Sequence, residues 1–201
     1  MTTTRRLGSA QSATRALILE ATQDVMAEEG YAAVTTRRVA AKAGIKPALV
    51  QYYFPTMDEL LLQVYRYGAE NVIERQTQAL ASDQPLRALW ELSSDPSRAV
   101  LGIEFMALAN HRKEIREEIA RYATRTRVLQ AEALSTILGR GPVKTYPPAG
   151  IAVIMSGIVR AMAMESQVGM DFGHEETKLI VEQWLQLLEP TARPAKPRSA
   201  R

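Results

Sequence analysis

Lys46, Ala48, Gln51 and Tyr52 would share one face of a short helix, because Val50 and Phe54, at i and i+4, belong to the opposite, apolar face. A glutamine amide holds a donor and an acceptor side by side and pairs bidentately with adenine. A lysine ammonium pairs with the acceptors of guanine, and each good contact of this kind discriminates by about 1–3 kcal/mol. Such chemistry needs a rod narrow enough to enter a DNA major groove. Residues 35–54, TTRRVAAKAGIKPALVQYYF, predict that rod as two short helices broken at Gly44. Thr35 is a suitable N-cap, since its hydroxyl can accept from an unpaired N–H of the following turn. Val39, Ala40 and Ala43 give the first helix an apolar face. Gly44 can take the positive φ of a tight corner, and Pro47 suits the first position of the second helix, where its missing N–H costs nothing. The spacing therefore predicts a helix–turn–helix whose second helix leads with its polar side chains.

The flanks extend the pattern. A long first helix ends in Glu28-Glu29-Gly30-Tyr31. Ala40 follows, then the Ala43-Gly44 turn, Tyr53-Phe54-Pro55, and Thr56-x-x-Glu59-Leu60-Leu61. Over residues 12–66 the chain resembles the N-terminal domain of the tetracycline-repressor (TetR) family of transcription regulators. The resemblance implies an all-α fold of about nine helices, with an N-terminal three-helix DNA-binding domain and a C-terminal ligand-binding and dimerisation domain. It implies double-stranded DNA with a palindromic operator as partner. Thr35, Tyr53 and Thr56 would meet phosphates, assisted by Arg37 and Arg38, while Lys46, Ala48, Gln51 and Tyr52 approach the bases. Three positions depart from the family pattern. Lys46 replaces a frequent serine cap, Arg38 stands where an acidic residue is common, and Met57 stands where a lysine often binds phosphate.

Charge is distributed in keeping with this. Residues 1–57 hold seven basic and four acidic side chains, residues 58–188 hold 14 and 17, and residues 189–201 hold four and one. Neutralising phosphates supplies the salt-dependent part of DNA affinity, so basic charge is expected at the reading end. The basic tail reads more simply as a solubilising, disordered segment. Cysteine is absent, which excludes disulfides and thiolate metal sites, and His111 and His174 are too few and too far apart for a metal cluster. No cofactor is expected. No uninterrupted run of about 18 apolar residues is present and the N-terminus lacks a signal-peptide core, so no membrane partner and a cytoplasmic location are expected.

The expected organisation is a flexible arm over 1–11, a DNA-binding domain over 12–72 that includes a connecting fourth helix, a C-terminal domain over 73–188, and the tail. Helix one is expected over 12–29. A T-x-x-E capping box at Thr56 starts a helix running to about Leu80. Further helices are expected around 86–90, around 100–110, and over 112–138, 149–168 and 174–188. The segment 149–168 is apolar nearly all round and so must be covered on more than one side. By the resemblance, the last two helices pair with their twins, with Val153, Gly157, Arg160, Met164, Ile180, Trp184 and Leu188 at the contact. Trp90, Phe105, Met106, Tyr122, Met155, Ile158 and Met162 are the candidates to line a cavity for a small, largely apolar effector. Arg160 needs a partner if covered, either a protein carboxylate (Glu104 is one candidate) or a ligand acid.

Three functions remain open at this level. The first is a homodimeric repressor released from its operator by an effector. The second is a constitutive DNA-binding dimer with a packed core, distinguished from the first by whether a void of about 300 Å³ or more separates the middle helices. The third, a helical-bundle enzyme, lacks a nucleophile–base pair, a metal set and a phosphate loop. His111 and His174 both read as solvated helix-end residues.

Overall fold

The computed structural model describes residues 3–94, 96–138 and 146–189, and all the regular structure among them is helical. Nine α-helices are described: α1 (Thr3–Glu29), α2 (Thr36–Ala43), α3 (Pro47–Tyr53), α4 (Met57–Leu80), α5 (Pro85–Ser93), α6 (Pro96–Ala109), α7 (Lys113–Leu138), α8 (Pro148–Gln167) and α9 (His174–Leu188), with one 3₁₀ turn at Tyr31–Ala33. The loop at 139–145 and the tail beyond 189 lie outside the described residues.

Helix α1 starts at Thr3 and not near residue 12, so most of the segment expected to be a flexible arm is helical. The stretch before residue 12 contains no proline, and its one glycine costs a helix only about 1 kcal/mol. Local punctuation elsewhere acts as its chemistry dictates. Thr35 accepts from the Arg38 N–H at 3.1 Å and Thr56 from the Glu59 N–H at 3.1 Å, each capping its helix. Gly44 takes φ 66°, where a side chain would be strained.

Two apolar clusters form the interior. The first joins Ile18, Val25 and Met26 of α1 to Val39, Val50, Phe54, Leu60 and Val64, and it also takes in Phe105 and Leu108 of α6 and Ile115 of α7. The second joins Leu86, Leu134, Ala152, Val181 and Leu185 from α5, α7, α8 and α9. Helix α4 packs on α1 over its first half, on α5 near its end and on α7 along its length, and it runs unbroken past residue 72. Any division into two domains is therefore bridged by a continuous rod.

Polar contacts lock α4 to α7. Glu118 is buried and receives the guanidinium groups of Arg66 and Arg121. Tyr122 donates to Glu70 at 2.7 Å, Arg125 donates to the same carboxylate at 2.9 Å, and Arg112 pairs with Asp58. The Arg121 guanidinium, helped by Arg66, holds the Glu118 carboxyl down at about 2 against the opposing effect of burial. A carboxylate held below its unfolded value stabilises the fold above that value, and the stabilisation disappears as pH falls from about 4.5 to about 2. Glu118→Gln should therefore lower stability at neutral pH by on the order of 2 kcal/mol and flatten its decline in acid. Urea midpoints measured from pH 7 to pH 2 check this, and parallel acid profiles for the two proteins would refute it.

Helix α8 reaches the length and composition of a membrane span, with a mean hydropathy of 1.4, despite Arg160 and Glu165. Little of it is covered by the rest of the chain. Val153, Ile154 and Met164 of α8 and Leu179, Ile180, Trp184 and Leu187 of α9 are exposed together. Leu188, expected on this surface, packs instead against the second cluster, and Leu187 completes the outward stripe with Ile180 and Trp184. Spacings of four and three residues put Ile180, Trp184 and Leu187 on one face, and Leu188 is rotated off it toward the core.

Candidate nucleic-acid interface

Helices α2 and α3 carry the expected reading segment. Val39, Ala40, Val50 and Phe54 are buried beneath it. Lys46, Ala48, Leu49, Gln51 and Tyr52 all face outward, with Tyr52 at 69 % exposure. The outer surface around the turn is a shallow hollow lined by Gly44, Ile45, Lys46, Ala48, Leu49 and Tyr52. It is more apolar than its polar residues alone suggested. Leu49 and Ile45 were not among the expected contact residues, although Leu49 lies at i−3 from Tyr52 and shares its face.

Tyr53 is part-buried against the first cluster and meets the Tyr52 ring edge-on at 5.3 Å, which fixes the direction of its phenol. Thr35 and Thr56 are exposed at the N-termini of α2 and α4. Each hydroxyl uses a lone pair in capping and keeps its O–H to donate. A helix N-terminus also favours an anion, so both positions suit a phosphate.

The basic side chains divide into two groups. Arg38 forks onto Glu29 with contacts of 2.6–3.0 Å, and Lys42 pairs with Glu28 at 2.6 Å. The Glu29 hydrogen bond and charge raise the Arg38 pKa, while Arg38 in turn lowers that of Glu29. Arg38 is thus engaged in tying α2 to the end of α1, and its expected role beside a phosphate is corrected: its nearest anion is internal. Arg37 and Lys46 are exposed with no ion pair among the described residues. Met57 does not reach outward. It packs against the first cluster and accepts from the Thr36 hydroxyl at 3.7 Å.

Farther from this surface, the expected effector-lining residues do not converge. Phe105 and Tyr122 stack edge-on against Tyr65, with centroids at 5.1 and 5.9 Å, and burial raises the Tyr65 phenol to about 12. Met106 is 53 % exposed, and Ile158 packs on the second cluster. Trp90 and Met155 alone of the seven line the void between α5, α7 and α8, which holds about 20 Å³. That is room for a water molecule and far below the volume of a drug-sized ligand. Large soft side chains at helical spacing fill space, and these have filled it.

Two charged residues were also misjudged. Glu104 accepts from the Tyr31 N–H at 2.7 Å and lies 3.7 Å from where a Cβ on Gly30 would sit. It therefore joins α6 to the end of α1 and is not the mate of Arg160. His174 is buried and bonds Glu165 at 2.7 Å, closing the α8–α9 hairpin where solvation was expected. Neither contact has a sequence signal, since one spans 73 residues and the other bridges a turn.

Residues 18–64 match the family described as "Bacterial regulatory proteins, tetR family". Over 136 residues the chain is 27 % identical to the HTH-type transcriptional regulator CymR of Pseudomonas putida, covering 64 % of this chain and 67 % of that protein. The fold is shared with a Saccharomonospora viridis transcriptional regulator solved in complex with choline, at a TM-score of 0.76, 19 % identity, and coverage of 87 % of this chain and 96 % of the other. It is also shared with a TetR transcription regulator of Haloarcula marismortui, at a TM-score of 0.72, 17 % identity, and coverage of 87 % and 97 %. These relatives are regulators and not enzymes.

Proposed function

We propose that this TetR-family transcriptional regulator, whose residues 18–64 match the family's N-terminal domain, binds a palindromic operator as a homodimer and represses transcription until an effector weakens that grip. The observation that carries the DNA-binding part is the outward face of α3, where Lys46, Ala48, Gln51 and Tyr52 stand over a buried Val50 and Phe54. Two such helices related by a two-fold axis engage successive major grooves about 34–36 Å apart. Gln51 and Lys46 offer hydrogen bonds to bases. Ala48, Leu49 and the Tyr52 ring offer apolar contact, which selects the thymine methyl. Thr35, Tyr53, Thr56 and Arg37 would hold the backbone.

Effector release is supported by the family, by the soft residues around the α5–α7–α8 void and by the continuity of α4 from the interface to that void's neighbours. The void must open to admit a ligand. A constitutive dimer is the second reading, favoured by the 20 Å³ volume. The Saccharomonospora protein's ligand, choline, is a cation, whereas the polar side of this void adjoins Arg127 and Arg160, so a different effector chemistry is expected here.

Selection of bound DNA from a random pool tests the proposal. A palindrome with half-sites one helical turn apart is the expected product. On that operator, Gln51→Ala should relax preference at one or two base pairs, and Tyr53→Phe should weaken binding to all sequences alike. Replacing half-site thymines by uracil should weaken binding about threefold for each methyl lost against the α3 surface, the value of about one buried CH₂. Enrichment of no sequence, or wild-type behaviour of both variants, overturns the reading.

A further inference from the structure

Arg127 of α7 is a part-buried cation with no carboxylate bonded to it among the described residues. Its Nη1 donates to Ser156 Oγ at 3.0 Å and to Gln130 Oε1 at 3.3 Å, both neutral acceptors. Its other N–H groups have no partner among the described residues, and none is sealed from solvent. Arg160 lies one turn beyond Ser156 on α8, exposed and likewise without an acid among the described residues. Burial lowers the Arg127 pKa, and the neighbouring Arg160 charge lowers it further. Arg127 bonds Ser156, and Arg160 stands one helical turn from the same serine, so two guanidinium groups flank one hydroxyl. Their like charges repel, and the same pair offers donors to an oxyanion.

The void starts where this pair ends. Gln130 and Ser156 form its polar side, and Trp90, Leu134, Met155 and Val159 its apolar side. A ligand seated here would meet donors beside Arg127 and, elsewhere, mostly carbon, sulfur and an indole ring, with Ser93 of α5 the polar exception. The indole and the thioether can swing aside, because methionine is unbranched and adapts to irregular shapes.

Resting on the effector reading above, we propose that Arg127 and Arg160 form the recognition site for a small organic acid with a short apolar body. The carboxylate bridges the two guanidinium groups beside Ser156, and the body enters between Trp90 and Met155 as the void widens. A bound acid relieves the repulsion between the two arginines and competes for the Arg127 fork with Gln130. Gln130 in turn donates to Gln76 of α4 at 3.1 Å in a buried contact. Helix α4 begins at Thr56 on the DNA-facing surface, so the site is joined by packed and hydrogen-bonded groups to the helix that links both ends of the molecule. The acid shifts operator binding only by its difference in affinity for the two arrangements of α4.

Calorimetry on the full-length protein with hexanoate and benzoate, against hexanamide, benzamide, hexyltrimethylammonium and inorganic phosphate, tests the site. The acids should bind, and the amides, the cation and phosphate should each bind at least tenfold more weakly. Arg127→Met and Arg160→Met should each weaken acid binding at least tenfold. Amides binding as tightly as acids, or no acid binding, overturns the proposal. Phosphate binding as tightly as the acids overturns the role of the apolar side. If Arg160→Met instead breaks the dimer and leaves acid binding intact, Arg160 serves a carboxylate of a second copy and the proposal fails. Arg160 is exposed, so its variant carries the test even if Arg127→Met folds poorly. Calorimetry on the DNA-free protein is independent of operator recognition. A protein that selects no DNA yet binds acids would sink the regulator reading alone, and one that binds its operator but no acid would sink this site alone.

Discussion

Trp184→Glu should yield a monomer that binds the operator at least a hundredfold more weakly than the wild-type protein. Trp184 is 49 % exposed in the single chain, Ile180 and Leu187 on its own face of α9 are exposed with it, and Val153, Ile154 and Met164 on α8 are exposed too. Large apolar side chains left exposed in this number on two successive helices mark an interface, and apolar burial is worth about 25 cal/mol per Å², so a twin of the same surface is the natural cover. A glutamate placed there must be desolvated without a partner if the dimer forms, at a cost of several kcal/mol, while in the monomer it stays in water at no cost. Operator affinity then falls because the second reading head is no longer held at high effective concentration, an effect of about 10²–10⁴. Sedimentation reads the mass of the variant, and in the wild-type protein a red shift of tryptophan emission on dilution reads the passage of Trp184 from a covered to a wet environment. A variant that remains dimeric, or a monomer that keeps full operator affinity, removes the two-fold geometry from the proposal. The thermal midpoint of the remaining monomer core keeps the result interpretable, since Trp184 is half-exposed and belongs to neither apolar cluster.

Phe54→Ala should destabilise the reading domain by about 3–5 kcal/mol, enough to unfold it at 37 °C in a protein of ordinary stability. Phe54 ends α3, is 4 % exposed, and lies in the first cluster with the Arg15 guanidinium 5.3 Å from its ring. Its removal leaves a cavity at the point where α3 is held against α1, so the loss is both apolar contact and alignment of Gln51. Phe54→Leu should cost much less, because most of the volume is kept. Guanidinium unfolding followed by helical circular dichroism measures the difference. Equal stability of wild type and Phe54→Ala would show that α3 is held by something other than this ring. The same variant should abolish operator binding, whereas Tyr53→Phe, one residue earlier, should spare the fold and weaken only the phosphate contact.

The reading segment was legible because its signals are local. Thr35 and Thr56 cap the helices they precede, Gly44 turns the chain in the left-handed region, and Pro47 opens α3. Each of these acts within four residues, and so does the burial pattern of Val39, Ala40, Val50 and Phe54. The pocket was not legible. Phe105 and Tyr122 were grouped with Trp90 and Met155 by type, but a helical stripe of large apolar residues reads the same whether it lines a void or fills one. Arg38 was misjudged because its guanidinium is claimed by Glu29 of the preceding helix. The tail and the 139–145 loop lie outside the described residues, so the tail's basic charge stays a property of the sequence alone.

Periodicity, caps and turn residues determined from the chain itself that the protein is helical, where its reading helix begins and which side chains that helix turns outward. Those are short-range consequences of backbone sterics and of hydrogen bonds made within one or two turns. Pairings between distant segments were decided only when the helices packed: Glu104 with the Tyr31 amide, Glu118 between two arginines, Gln76 with Gln130, and Arg127 with the Ser156 hydroxyl. Charge and hydrogen-bond partners separated by tens of residues leave no spacing to read. Their selection depends on which faces a crossing angle brings within about 3 Å, and that is a property of the assembled fold.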